Sequence, residues 1–450
     1  MEHELIAAPA TPFGTAALAV IRTSGDTCIE TLAPLVRGPE RLLNAAGNTL
    51  VYANLLDPES GVVLDEVVLG VYRAPHSYTG EPMVEIFCHG SSAGVQRILG
   101  ALYHSGFRPA DPGEFTLRAF LAGKLDLTRA EAVHEVVQAQ TGRAHEMALD
   151  RLSGTVEAEI NAIKHALVRV SATIAVQIDY PEDDTGEIPF PLETVTDATR
   201  RLQALSESYR TGRLYQEGVR VAIAGRPNAG KSSLFNHFLR QDRSIVSETP
   251  GTTRDYIESA LDLQGIPARI FDTAGLRQTE ESVEGEGIAR TTRVVEQADL
   301  VLYLIDGTVG VDREDANWLE RPDLKARIIP VWTKTDLPGC QDAPAGFLPL
   351  SIRAATGFAE LTGIMFERIT SGSGGAGSGA VIIDSQRQKN LIDRALEALR
   401  EVIRGVQDGM PVDAISLDAG EALRALGEIT GEVTSADILD EVFGTFCLGK

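Results

Sequence analysis

The chain has 450 residues, 43% of them hydrophobic and 23% charged, enough for two or three soluble domains each with an apolar core. Its 64 acidic side chains outnumber 41 basic ones, and the resulting net charge of −23 disfavours nucleic-acid binding through a broad basic face, so such a substrate needs a local basic patch or a basic partner. Four scattered cysteines, a start (Met1-Glu2-His3-Glu4-Leu5) without a basic and apolar leader, and no apolar run of about 18 residues together predict a reduced, cytoplasmic protein that neither spans a membrane nor is secreted.

Over residues 1–120, Pro9, Pro12, Gly14, Pro75, Gly80, Gly90 and Pro112 punctuate short β-rich runs, which predicts an independent α+β module. Turn signals then become sparse over 121–216, where Ile160, Ile163, Leu167, Val170, Ile174 and Ile178 take helical spacing and should form one buried stripe. From 217 to 372 the β-rich runs Val219–Ala224, Ala268–Phe271, Leu300–Ile305 and Arg327–Trp332 alternate with helical segments, the pattern of βαβ units on a parallel sheet. A Gly/Ser stretch, Ser371 to Ala380, reads as a linker. Within 373–450, Leu391, Leu396 and Leu399 again follow helical spacing, so the α/β block is expected as an insertion between two helical segments that pack together. No internal repeat is visible.

The strongest chemical signal is Gly225-Arg226-Pro227-Asn228-Ala229-Gly230-Lys231-Ser232, a G-x-x-x-x-G-K-[ST] match placed between an apolar strand and the helical Ser233–Leu239. Its glycines allow backbone N–H groups to curl around phosphates, Lys231 brings a point charge to the β/γ oxygens, and the Ser232 hydroxyl can ligate Mg²⁺. Further motifs follow in order. Asp272-Thr273-Ala274-Gly275 can hold Mg²⁺ through water and sense the γ-phosphate. Thr333-Lys334-Thr335-Asp336 resembles N-K-x-D, in which the carboxylate accepts both donors of the guanine edge; adenine lacks that pair, so Asp336 argues for GTP. Ser351-Ile352-Arg353 stands where G proteins carry S-A-K. Leu276 occupies the place of a water-orienting Gln, which closes the Ras route to hydrolysis. Between the first helix and second strand, Ser247-Glu248-Thr249-Pro250-Gly251-Thr252-Thr253-Arg254-Asp255 is the expected switch loop, with Thr253 as second protein ligand to Mg²⁺.

With G-R-P-N-A-G-K-S-S, G-T-T-R-D and D-T-A-G-L-R in place, and with Ala8-Pro9-Ala10-Thr11-Pro12, Pro112-Gly113-Glu114-Phe115-Thr116, Lys124-Leu125-Asp126-Leu127 and the terminal Phe446-Cys447-Leu448-Gly449-Lys450 around them, the chain resembles the MnmE (TrmE) family of tRNA-modifying GTPases over nearly all its length. The resemblance implies an α/β and α multidomain protein: an N-terminal α+β domain that binds tetrahydrofolate and forms a homodimer, a discontinuous helical domain, and an inserted Ras-like P-loop G domain. It implies a folate-borne one-carbon unit (5,10-methylene or 5-formyl form), and a heterotetramer with the flavoprotein MnmG. That complex adds an aminomethyl or carboxymethylaminomethyl group to C5 of the wobble uridine of certain tRNAs, and the partner could carry much of the tRNA contact. By motif, folate contacts fall on Arg22, Glu81, Lys124 and Lys450; a Glu can pair with the pterin N–H edge while Arg and Lys hold the glutamate tail. One departure is that Phe13 and Thr15-Ala16-Ala17-Leu18 replace a Gly-rich stretch before Arg22.

For the nucleotide, the resemblance implies contacts from Asn228, Ala229, Gly230, Lys231, Ser232 and Ser233, from Ser247, Glu248, Thr249, Pro250, Gly251, Thr252 and Thr253, from Asp272, Thr273, Ala274 and Gly275, and from Thr333, Lys334, Asp336 and Ser351. It further implies K⁺ held by Asn228, Ser247, Thr249 and Thr252 where an arginine finger's charge would lie, and a catalytic Glu284 that orients water beside Lys231. Cys447 joins the catalytic candidates; from its local sequence it is either a buried small hydrophobe or a reactive thiol. The alternative function is a GTP switch in ribosome assembly. Such proteins carry a basic RNA-binding domain, whereas residues 381–450 here hold 13 acidic and 7 basic side chains.

Overall fold

The computed structural model describes residues 4–179, 189–240, 244–245, 258–272, 294–371 and 380–450. Strands β1 (Ile6–Pro9), β2 (Leu18–Ser24), β3 (Thr49–Leu56), β4 (Val63–Tyr72), β5 (Met83–His89) and β6 (Arg108–Pro109) form a mixed sheet in the order β3-β4-β5-β2-β1-β6. Helices α1 (Cys28–Leu32), α2 (Glu40–Leu43) and α3 (Ser92–His104) belong to the same region. Period-two alternation sorts the side chains into two layers. Ala7, Ile21, Val84 and Ile86 join Leu32, Leu69, Ile98 and Leu102 in the larger core. Ile6, Ala8 and Met83 point to the other face, where Phe115 of α4 (Glu114–Leu121) completes a smaller cluster. Arg22 on β2 and Glu85 on β5 share this second face, directly opposite one another in the antiparallel register.

Helix α5 (Leu127–Gln138) packs Leu127, Ala130 and Val133 against Phe443 and Phe446 at the C-terminal end. Phe443 lies on the helix Ala436–Gly444, and Gly113, at φ +71, sits so close to it that a Cβ would run into the Phe443 carbonyl. The last residues then lie along β1. Gly449 adopts φ +84 beside the Pro9 carbonyl, and the Phe115 N–H donates to the Lys450 carbonyl at 3.1 Å. These parts fall in one compact unit, Met1–His134, Arg151–His165 and Leu423–Lys450; the second comprises Glu135–Asp150 and Ala166–Ala422.

After α6 (Gly142–Leu152) comes α7 (Thr155–Asp179), whose predicted stripe is buried at Ile160, Ile163, Leu167, Val170 and Ile174. Ile178 departs from that expectation, remaining 43% exposed. Helical spacing marks a face but does not reveal how far along it the packing partners reach.

In the second unit, α8 (Leu192–Glu217) pairs with the helix Gln386–Gln407. Tyr209 donates to Gln386 at 2.7 Å, Ser206 to Asp393 at 2.7 Å, and Arg400 to Gln203 at 2.8 Å, which makes the pair antiparallel. Gly212 has no room for a Cβ against the Ile383 carbonyl, so the seam is tight at that end. Leu202 and Leu205 are buried on α8, as are Ile392, Leu396 and Leu399 on the later helix, while Leu391 is only half-buried.

Between these helices stands a seven-stranded sheet, ordered β13-β12-β11-β7-β10-β9-β8. Its strands are β7 (Val219–Gly225), β8 (Ser244–Ile245), β9 (Glu258–Leu263), β10 (Ile266–Asp272), β11 (Leu300–Asp306), β12 (Ile328–Thr333) and β13 (Leu348–Leu350). β7 lies centrally, parallel to both β10 and β11, and its run of buried residues reflects cover on both faces. The expected fold class is borne out: an α+β N-terminal region, long helices, and a doubly wound α/β domain. No helix among the described residues is long and apolar enough to cross a membrane.

Candidate functional site

β7 ends at Gly225, and α9 (Lys231–Arg240) begins six residues later, so the intervening loop leaves the carboxyl end of a central parallel strand, where open α/β sheets bind ligands. Gly225, Asn228 and Gly230 all have positive φ, at 134°, 64° and 97°. Successive amides turned this way form an anion-binding nest capped by a helix N-terminus. Lys231 Nζ donates to the Gly225 and Arg226 carbonyls at 2.7 Å each, folding the cation over the loop. Arg226 anchors the loop from outside through Asp312 at 2.8 Å and the buried Asp315 at 3.0 Å. Ser232 and Ser233 are exposed in the first turn of α9, and Ala229 is buried beneath the loop. β10 brings the backbone of Asp272 alongside, opposite Ile223 of β7.

A Cβ on Gly225 would strike the carbonyl oxygen of Leu304 on the neighbouring strand. Gly225→Ala is therefore expected to destabilise the domain on the order of 3 kcal/mol and to abolish nucleotide binding. Thermal unfolding and nucleotide titration check this; a wild-type melting temperature would refute it.

The second loop follows β12. Thr333 is fully buried, its hydroxyl 2.8 Å from the Ala229 carbonyl and 3.0 Å from that of Ile305, so it ties this loop to the phosphate loop. This accounts for a Thr at the usual Asn position. Lys334, at φ 63°, donates to Asp306 at 2.6 Å. Although burial pushes the Asp306 carboxyl up, the Lys334 ammonium and Thr308 outweigh it and hold it below the ordinary range. Asp336 accepts from the Ser351 hydroxyl at 2.6 Å, a bond that lowers its pKa and fixes one oxygen. Ile352 replaces the usual Ala without disturbing that contact, and its side chain packs close to Gly230.

The structure thus gathers Asn228, Ala229, Gly230, Lys231, Ser232, Ser233, Thr333, Lys334, Asp336 and Ser351 at the carboxyl edge of one sheet. Ser247, Glu248, Thr249, Pro250, Gly251, Thr252, Thr253, Thr273, Ala274, Gly275, Leu276 and Glu284 lie outside the described residues, as does the Asp272 side chain. Among the described residues, no cluster of three His, Cys, Asp or Glu is placed to hold a metal ion. The exposed Ser232 at the head of α9 nevertheless fits a Mg²⁺ ligand.

On the second face of the N-terminal sheet, Arg22 donates to Glu85 at 2.8 and 3.0 Å and to the Gly449 carbonyl at 2.9 Å. Its guanidinium lies 5.3 Å from the Tyr78 ring centroid and 5.6 Å from that of Phe115. Burial and then the Arg22 charge push the half-buried Lys450 ammonium below its usual pKa. Two close cations at a partly desolvated site fit an anionic ligand such as a carboxylate. Glu81 accepts from Arg118 at 2.9 Å and from Ser24 at 2.8 Å. Arg118 also pairs with Glu114, which pairs in turn with Arg108. Lys124 donates to the Pro75 carbonyl at 2.7 Å, and its stem lies against Gly80.

Sequence reading singled out neither Glu85 nor Arg118, both of which hold the candidate residues in place. The Glu in Met83–His89 was a usable signal, since alternation puts it on the face opposite Val84 and Ile86. Burial pushes the Cys28 thiol up to about 12 and that of Cys88 to about 11, which leaves both unreactive. Cys447 is exposed, which removes the reading of it as a buried hydrophobe.

An anion nest at the carboxyl end of a parallel strand, tied to a base loop whose carboxylate is aimed by a serine, defines a guanine-nucleotide-binding P-loop protein. The model of the GTP-binding protein TrmE N-terminus matches residues 5–124, and that of the MnmE helical domain matches residues 127–447. The tRNA modification GTPase MnmE of Treponema denticola is 40% identical over 99% of this chain and 98% of its own. That of Borrelia turicatae is 41% identical over the same shares, and that of Carboxydothermus hydrogenoformans 38% identical over 100% of both. Among solved structures, the G domain of the T. maritima FeoB iron transporter aligns with 35% of this chain and 99% of its own at 27% identity, with a TM-score of 0.25. The chain belongs to the MnmE family of tRNA modification GTPases. Membership over the whole length displaces the alternative reading as a ribosome-assembly switch.

Proposed function

We propose that this protein hydrolyses GTP in the service of modifying C5 of the wobble uridine (position 34) of tRNA, acting in the cytoplasm as a homodimer with the flavoprotein MnmG. Full-length similarity to tRNA modification GTPases is the observation that carries this reading. The proposed parts are a folate-binding and dimerisation domain (1–120), a helical domain in two pieces (121–216 and 373–450) and a G domain (217–372).

The Gly225–Gly230 amides receive the nucleotide phosphates, and Lys231 leaves the loop carbonyls for the β/γ oxygens. Asp336, aimed by Ser351, accepts from the guanine edge. Ser232 and Thr253 would hold Mg²⁺, and Asn228, Ser247, Thr249 and Thr252 a K⁺, ions that supply positive charge where it develops in phosphoryl transfer. Glu284 would orient water in the role that Leu276 cannot fill. At the other site, Arg22 and Lys450 would hold the carboxylate tail of a tetrahydrofolate while Glu81 meets its pterin edge and Lys124 closes one side; the folate supplies the one-carbon unit. Cys447, exposed beside Lys450, is proposed as a functional thiol.

The test is nucleoside analysis of tRNA from cells that lack the protein, complemented with wild type or Lys231→Ala. Modified wobble uridines should return only with the wild type; their presence without the protein overturns the reading. In matched buffers, GTP turnover should be on the order of tenfold faster in K⁺ than in Na⁺, the gain lying in kcat rather than in affinity. Asn228→Ala should remove the difference. Equal wild-type kcat values in the two buffers would end the potassium proposal.

A further inference from the structure

The nucleotide loop occupies one end of β7. At the other end, about 20 Å away for a seven-residue strand, lies a solvent-open cavity of about 810 Å³. Six arginines line it: Arg210 and Arg213 from α8, Arg220 from β7, Arg269 from β10, Arg327 from the approach to β12, and Arg368 from the helix Phe358–Thr370. Among the described residues, two carboxylates, Glu217 and Asp299, share the lining.

Among the described lining residues, arginines outnumber carboxylates by six to two. Glu217 takes Arg213 at 2.7 Å. Asp299 accepts from the backbone N–H of Arg220 at 2.8 Å, and among the described residues the Arg220 guanidinium has no partner. Arg210 and Arg368 each give one nitrogen to a main-chain carbonyl, of Ser371 and Ala326, and Arg327 gives two, to those of Asp323, Glu296 and Ala298; these bonds orient the guanidinium groups without cancelling their charge. In a chain of net charge −23, a fixed cationic basin of this size stands against the prevailing field.

We infer that this basin binds the phosphodiester backbone of RNA, as a site separate from the nucleotide loop. Planar guanidinium groups set by backbone carbonyls suit bidentate contact with phosphate. The cavity mouth is open and lined by several elements, as an extended polyanion requires, and it offers the local basic patch that an acidic chain needs to approach RNA. The inference rests on the reading of tRNA as substrate; binding and modification are measured separately, so either can fail alone.

The experiment uses the full chain and the triple variant Arg210→Gln, Arg220→Gln, Arg368→Gln, which spares the carbonyl contacts of Arg327. Fluorescence anisotropy with unmodified tRNA across a salt series should show affinity lowered on the order of tenfold, and the slope of log K against log salt reduced by about 2. GTP turnover should not change, which reports an intact domain. Identical tRNA affinity and slope in the variant, or no tRNA binding by the wild type at low salt, overturns the inference. A free-phosphate source is distinguished by calorimetry with inorganic tripolyphosphate: tight binding by the wild type that the variant loses, with tRNA affinity unaltered, also overturns it.

Discussion

Asp336→Asn is expected to move nucleotide choice from guanine to xanthine. In the proposed base site the carboxylate accepts two donors from guanine, whereas an amide presents a donor of its own where the base also donates; xanthine, with a carbonyl at that position, accepts it. One Asp336 oxygen is already fixed by Ser351 at 2.6 Å, so the side chain cannot swing away to avoid the mismatch. GTP affinity should fall on the order of 100-fold, and XTP affinity should rise to overtake it. The folded state should be unaffected, because Thr333 and not Asp336 ties this loop to the phosphate loop. Unchanged affinities for both nucleotides would remove Asp336 from the base site.

Deletion of residues 447–450 should lower the affinity for 5-formyltetrahydrofolate on the order of 100-fold while leaving GTP affinity intact. The deletion removes the Lys450 cation and also the Gly449 carbonyl that holds Arg22 at 2.9 Å, so the remaining guanidinium loses its orientation. Gly449→Ala offers a milder version. At φ +84, with the Pro9 carbonyl in the path of a Cβ, the tail cannot lie along β1, and the same loss should follow without removal of any charge. Equal folate affinity in the truncated and intact proteins, measured by calorimetry, would exclude the tail from the pocket.

What could be read from the sequence was local chemistry with a fixed spacing. The phosphate loop was legible because the strand, the glycines, the Lys and the helix are contiguous, each constraining the next. Asp336 and Ser351 were likewise legible as separate motifs, but the hydrogen bond between them was not. Pairings across strands were harder. Arg22 and Glu85 are 63 residues apart and meet only because β2 and β5 are neighbours in register. The arginine basin is further still from the reach of a linear reading, since its members run from Arg210 to Arg368 and only the sheet order brings them to one edge. Ile178 marks the opposite error, a residue assigned to a core by periodicity that the packing leaves 43% exposed.

The tight seam between α8 and the helix Gln386–Gln407 bears on how the chain folds. Its contacts join residues as far apart as Gln203 and Arg400, and the whole α/β domain has to be threaded between them. An unstructured segment of that length would impose a large closure entropy. Arg210, near the end of α8, however, donates to the carbonyl of Ser371 at 3.0 Å, so once the inserted domain has folded its two ends lie side by side. The loop closed by the Tyr209–Gln386 contact then shrinks from 177 residues to about 16, which lowers the closure cost by about 2 kcal/mol. Folding should therefore be sequential, with the inserted domain collapsing first and the helical seam zipping afterwards, and the seam's hydrogen exchange should track the stability of the domain it encloses.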